Sequence, residues 1–250
     1  MCRLLGWAAR TPTTMAGLLG EADLEAFTAL SRKHGDGWGI AARNGHDVEL
    51  HTSPEAACYS ADYAERVHAQ ATDLAVVHLR WATLGLPVQP SNTHPFADHG
   101  LAFAHNGSVS PPSSLDELLS DKQQAAMRGT TDSERYFRAV LSAAGCMPLE
   151  TALAQVVDRI SRTLTFTSLN CLLMTPEKLY AVCRFDPGQE GDEGEDYFHL
   201  RYRVREDAVV VASTGWGQDW RGLDNGSLLV VDRATMQMSV SSLDQVLSTS

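Results

Sequence analysis

The sequence predicts an α+β fold, one domain spanning residues 1–250, in which helices cover the faces of sheets. Three observations carry this expectation: apolar strand-like runs ahead of Ser110, two central segments of helical spacing, and strand-like runs from Ser168 onward. Residues 2–9 are apolar with few breakers and read as a buried first strand. Residues 23–33 suit a helix that stops at the glycine-rich stretch His34-Gly-Asp-Gly-Trp-Gly39. Residues 40–42 and 48–51 flank Asn44-Gly45, a strong hairpin signal. Residues 54–71 place Tyr63, Val67 and Ala71 on one helical face. Residues 74–79 and 101–104 are short, apolar strands, the second ending at His105-Asn106-Gly107. From Asp132 the set Tyr136, Phe137, Val140, Leu141, Ala144 has helical spacing and stops at Gly145; Leu149, Leu153, Val156, Val157, Ile160 and Leu164 form a second stripe. Strands are expected at 168–174, 179–185, 197–204, 208–213, 227–231 and 236–240, with an acidic, glycine-rich loop at 187–196 whose expected role is solvation.

Composition narrows the function classes. The chain of 250 residues is 44% hydrophobic and 20% charged. Those values are ordinary for a globular protein with a core. A formal net charge of −11 argues against nucleic acid and anionic membrane surfaces as partners. No apolar run approaches the length of roughly 20 residues that a membrane span requires. Residues 4–9 are too short, and broken by Gly6, to read as a signal sequence. Five widely spaced cysteines without a Cys-x-x-Cys pair suit a reducing cytoplasm.

Four local features sit at strand ends or a helix start, where a scaffold can aim side chains into one cleft. Cys2 becomes the N-terminal residue if Met1 is removed. It then carries a thiol beside an α-amine of reference pKa about 8, a nucleophile with its own base. The alternative is that any residue can occupy position 2. Arg80 emerges from a buried strand and can take a carboxylate bidentately, or form a structural ion pair. Asn106-Gly107 is either a turn or an oxyanion hole built from an amide side chain and a main-chain N–H. Thr131 and Glu134 have capping-box spacing, which leaves Asp132 available to meet an ammonium group. His94, His99 and His105 lack the cysteine or carboxylate spacing of a zinc site, so no metal and no cofactor is expected; His94 is read as an anchor of its loop. Trp216 and Trp220 fit either a pocket rim or a packed surface loop.

In this order Met-Cys-Arg-Leu-Leu-Gly, His-Gly-Asp-Gly-Trp-Gly, His-Leu-Arg-Trp-Ala-Thr, Asn-Thr-His-Pro-Phe, His-Asn-Gly and Thr-Asp-Ser-Glu resemble the class II glutamine amidotransferases. The resemblance is densest to about residue 140 and extends, more weakly, to stand-alone members such as the γ-glutamyl hydrolase of ergothioneine biosynthesis. It implies an αββα sandwich of two antiparallel sheets between helical layers. It implies that Cys2 attacks the γ-carbonyl of glutamine or a γ-glutamyl compound, that Asn106 and Gly107 hold the oxyanion, and that Arg80 and Asp132 bind the α-carboxylate and α-ammonium. Trp81, Thr83 and Gly85 would shape the glutamine loop, although Leu84 stands where some synthase-linked members carry histidine. The chain ends where fused members continue, so released ammonia is expected to reach solvent or a separate synthase subunit, or the leaving group is another amine. A catalytically silent glutamine-binding subunit is the remaining expectation.

Overall fold

The computed structural model describes residues 2–82, 87–188, 197–216 and 218–249. In chain order the elements are β1 (Arg3–Thr13), α1 (Met15–Leu19), α2 (Glu21–Ala29), β2 (Trp38–Asn44), β3 (Asp47–Ser53), α3 (Ala61–Ala69) and β4 (Thr72–Leu79). Then come β5 (Phe96–Asp98), β6 (Leu101–Ser110), α4 (Asp121–Ala125), α5 (Asp132–Ala144), α6 (Leu149–Thr163), β7 (Thr165–Met174) and β8 (Lys178–Cys183). The chain closes with β9 (Arg201–Val204), β10 (Ala208–Ala212), β11 (Arg221–Gly222), β12 (Ser227–Asp232), β13 (Met238–Ser242) and α7 (Leu243–Ser248).

The strands form two antiparallel sheets, ordered β11-β9-β10-β1-β4-β2-β3 and β13-β12-β8-β7-β6-β5. Alternation along each strand assigns the layers, because successive side chains point to opposite faces. Leu4, Ala8, Leu74 and Val76 of the first sheet meet Ala102, Ala104, Leu172 and Ala181 of the second in one buried cluster. Leu5, Trp7, Val77 and Ile40 face outward under α1, α2 and α3, with Leu18, Phe27 and Tyr63 closing that cluster. Phe103, Leu169, Leu173 and Val182 face the other way, under Tyr136, Phe137, Val140, Leu153, Val157 and Ile160 of α5 and α6. The result is the αββα sandwich, its central strands buried on both faces and its edge strands β3, β11 and β13 more exposed.

Several expected boundaries move, each for a local reason. The helix expected over 54–71 is confined to α3 because Ser60, not Pro54, caps it, its hydroxyl accepting the N–H of Tyr63 at 3.4 Å. The first strand runs on to Thr13, where it pairs with Thr72 past a register shift. The strand expected over 197–204 is only β9, and that expected over 236–240 is displaced to β13. The larger correction concerns Asn106-Gly107. It is not a turn, since β6 continues through it to Ser110 with Asn106 opposite Asn170 and Gly107 opposite Leu169 on β7. Pairing on β7 overrides the local turn preference. No helix among the described residues is long and apolar enough to cross a membrane.

Candidate active site

Period-two alternation places the first candidate. Leu4 faces the second sheet, so Cys2, one pleat earlier, also projects between the sheets at their open end. The thiol is held by main chain: the N–H of Trp81 donates to Cys2 Sγ at 3.3 Å, and Sγ can donate to the Trp81 carbonyl at 3.5 Å. Burial pushes the Cys2 thiol above its ordinary pKa, while the Trp81 main chain, the chain-terminal charge and Arg80 pull it back.

Arg80 follows β4 directly and is 3% exposed. Its seat is the turn at Asp36-Gly37. The Arg80 N–H donates to the Gly37 carbonyl at 2.8 Å, and the Asp36 N–H donates to the Arg80 carbonyl at 3.0 Å. Arg80 Nη1 donates to the Asp36 carbonyl at 3.4 Å and Nη2 to the Pro87 carbonyl at 3.5 Å. Asp36 Oδ2 accepts the N–H of Ala82 at 2.7 Å, which fixes the backbone beyond Trp81. Both guanidinium contacts are thus to main-chain carbonyls, and the Asp36 carboxylate acts on Arg80 through its charge. The Trp81 ring lies half-exposed at the mouth. The Lys33 ammonium stands 5.2 Å from its centre, and His34 lies against its edge.

On β6 alternation separates neighbours. Ala102 and Ala104 face the first sheet, so Asn106 does too; Phe103 faces α5, as does His105. Asn106 is fully buried, and neither its Oδ1 nor its Nδ2 has a hydrogen-bond partner among the described residues. Leaving such an amide unpaired costs about 1–3 kcal/mol, which marks it as a group awaiting a partner. His105 is doubly bonded, Nδ1 to Ser133 Oγ and Nε2 to the Ser168 carbonyl, both at 2.9 Å. A carbonyl only accepts, so Nε2 carries the proton and Nδ1 accepts from the Ser133 hydroxyl. Gly107 is required by close approach, since a Cβ there would overlap the Ser168 carbonyl oxygen.

Asp132 opens α5 and is 4% exposed. Thr131 caps the helix, accepting the Glu134 N–H at 3.1 Å. Glu134 does not complete a capping box; its carboxylate accepts the N–H groups of Arg128 and Gly129 at 2.8 and 2.6 Å. Asp132 is therefore spared from capping, and its Oδ2 instead accepts the N–H of Val109 at 2.7 Å. One small pocket, a cavity of ≈ 20 Å³, is lined by Cys2, Arg80, Trp81, Gly107 and Asp132, together with His94, His105 and Ser133. Asn106 is not among its lining groups, and Thr83, Gly85 and the acidic loop over 189–196 lie outside the described residues.

His94 lines the pocket, its ring 4.2 Å from that of His78, while His99 stands exposed beside Asp98. No group of three or more His, Cys, Asp or Glu among the described residues is placed to hold a metal ion. Trp216 and Trp220 pack away from the pocket, against Phe27 and the Arg203 guanidinium, so they form a packed loop rather than a rim. Asp36 and Asn92 carry no individual signal in the sequence beyond membership of the His-Gly-Asp-Gly-Trp-Gly and Asn-Thr-His-Pro-Phe stretches.

An αββα sandwich with a buried cysteine just ahead of its first strand, lining a pocket, is the frame in which the comparisons stand. The family described as Glutamine amidotransferases class-II matches residues 1–248, and the chain belongs to that family of enzymes. An uncharacterized protein of Methanocaldococcus jannaschii is 28% identical over 262 residues, covering 94% of this chain and 70% of its own length. The γ-glutamyl-hercynylcysteine sulfoxide hydrolase of Mycobacterium tuberculosis is 28% identical over 116 residues, 44% of this chain and 50% of that protein. Among solved structures, a glutamine aminotransferase class-II domain protein from Silicibacter pomeroyi superposes with a TM-score of 0.69 at 20% identity, covering 96% of this chain and 99% of that one. That likeness extends to the fold.

Proposed function

We propose that this enzyme, with residues 1–250 acting as one catalytic domain, cleaves the γ-amide of L-glutamine or a γ-glutamyl compound through a cysteinyl thioester. The observation that carries the reading is that Cys2, Arg80, Gly107 and Asp132, from four separate parts of the chain, line one pocket. Removal of Met1 gives Cys2 a free α-amine, whose reference pKa of about 8 lets it act as base near neutrality. Cys2 Sγ attacks the γ-carbonyl as the amine takes the thiol proton. The oxyanion is held by the Asn106 amide and the Gly107 N–H, each such donor worth about 2.7–4 kcal/mol in comparable sites. Collapse breaks the C–N bond, and the leaving amine takes the proton from the α-ammonium. Water then attacks the thioester, giving its proton to the α-amine, and the free acid and thiol are regenerated. Arg80 pairs with the substrate α-carboxylate and Asp132 with its α-ammonium, and the family resemblance assigns Trp81, Thr83 and Gly85 to shaping the glutamine loop. Ammonia released from glutamine passes to solvent or to a separate synthase subunit.

A second reading, a γ-glutamyl-peptide or γ-glutamyl-thiol hydrolase, is favoured by the similarity to the γ-glutamyl-hercynylcysteine sulfoxide hydrolase. The two differ only beyond the γ-carbonyl, on the leaving-group side. Ammonia release from glutamine, assayed beside amine release from γ-glutamyl peptides, separates them. Cys2→Ala is expected to abolish both reactions while the fold survives, and full activity in that variant would refute the assignment. A residue fused ahead of Cys2 turns the base into an amide; undiminished turnover in that protein would exclude the α-amine.

A further inference from the structure

Building on the function proposed above, we propose that Asn92 is a positioning residue that sets the spacing between the groups binding the two ends of the substrate's amino-acid moiety. Asn92 ends a single helical turn, Pro90–Asn92, and is fully buried. Its Nδ2 donates to the Pro87 carbonyl at 3.1 Å, the same carbonyl that accepts Arg80 Nη2. A second donation, at 3.4 Å, reaches Thr130 Oγ1. Its Oδ1 accepts the N–H of Thr130 at 3.0 Å, and Thr130 lies two residues ahead of Asp132. The Pro87 carbonyl can only accept and the Thr130 N–H can only donate, so the amide has one workable orientation.

A single side chain thus ties the carbonyl under the Arg80 guanidinium to the backbone that delivers Asp132. Both ends of the tie are themselves anchored. Arg80 is fixed through Asp36 and Gly37, and the 128–132 segment through the Glu134 carboxylate on Arg128 and Gly129. The segments touch so closely that a Cβ on Gly129 would overlap Asn92 Oδ1. An α-carboxylate and an α-ammonium on one carbon are a fixed distance apart. A receptor for both must hold its cation and anion at a matching separation, because hydrogen bonds weaken steeply once lengthened or bent. Asn92 touches no reacting atom; it works through Arg80 and Asp132.

Two thiol reagents separate this role from general support of the fold. Iodoacetamide alkylates Cys2 without using the amino-acid end of the pocket, whereas a glutamine-like diazoketone must first dock there. Labelling of Cys2 is followed by mass spectrometry in the wild type, Asn92→Ala and Asn92→Asp. Aspartate keeps the acceptor for Thr130 and loses the donor to Pro87, so it carries the same contrast should Asn92→Ala fail to fold. Both variants are expected to react with the diazoketone about tenfold more slowly, the equivalent of ~1.4 kcal/mol, and with iodoacetamide within about twofold of wild type. The KM for a γ-glutamyl substrate rises accordingly while kcat changes little. Parallel slowing of both reagents, or of neither, would overturn the assignment. If the diazoketone fails to label wild-type Cys2 while iodoacetamide succeeds, the proposed function itself falls, and the role of Asn92 with it.

Discussion

Acid should destabilise this protein through its buried histidines, and His78 gives the effect a size. His78 is wholly buried on β4, its ring centre 4.2 Å from that of His94 with the planes tilted by 33°, and His94 is also buried. Burial, with repulsion from Arg80, pushes its pKa from 6.5 down to about 3. The folded value lies below the unfolded one, so the unfolded chain binds the proton first. The stability this neutral ring contributes is complete above the unfolded pKa and is lost as pH falls toward 3. Each pH unit inside that window costs at most about 1.4 kcal/mol, and the whole of it about 5 kcal/mol. Between about pH 7 and about pH 5 the loss assigned to His78 alone is about 2 kcal/mol. Burial lowers His94 and His105 as well, so their contributions carry the same sign. Urea unfolding followed by tryptophan fluorescence at the two pH values measures the drop. In His78→Phe the drop should shrink by about 2 kcal/mol, and any constant packing cost of the larger ring cancels in the difference. An equal drop in wild type and variant would refute the reasoning.

Asn106→Ala should lower kcat by about 10²–10³-fold with little change in melting temperature, since the amide has no partner among the described residues to lose; kinetics beside calorimetry checks both halves. Gly107→Ala should abolish turnover and also lower stability, because the methyl group meets the Ser168 carbonyl; an active, equally stable variant would contradict the packing. The rate of Cys2 alkylation against pH should have its inflection above the ordinary thiol value while Met1 is retained. On Met1 removal it should move to lower pH as the ammonium comes to sit on Cys2 itself, and stopped-flow alkylation of the two forms tests the shift.

Much of the architecture can be read from the chain, for identifiable reasons. The stripes of α5 and α6 are long enough for periodicity to beat local noise, and the apolar runs of β4, β7 and β10 mark strands buried on both faces without any alternation. Elements such as α1, β5 and β11 are two to five residues long and carry no period at all. Asn106-Gly107 misleads because its turn preference is local while its strand state depends on β7, far along the chain. Cys2, Arg80 and Asp132 are legible as reactive groups at the ends of regular elements. Asp36 and Asn92 are not, since their value lies in bonding main-chain groups that only the folded chain brings near. Trp216 and Trp220 have the composition of a pocket rim, and only the position of Phe27 and Arg203 decides against it.

The grip on the Cys2 sulfur has a consequence for how such an enzyme can diversify. The Trp81 N–H and carbonyl hold it, and every amino acid except proline supplies the same two atoms. The indole of the same residue, meanwhile, faces the mouth of the pocket. Under the proposed function, the sulfur is held by main-chain atoms of position 81 while its side chain lines the pocket mouth. A substitution there other than proline can therefore reshape the mouth and leave both contacts to the sulfur in place.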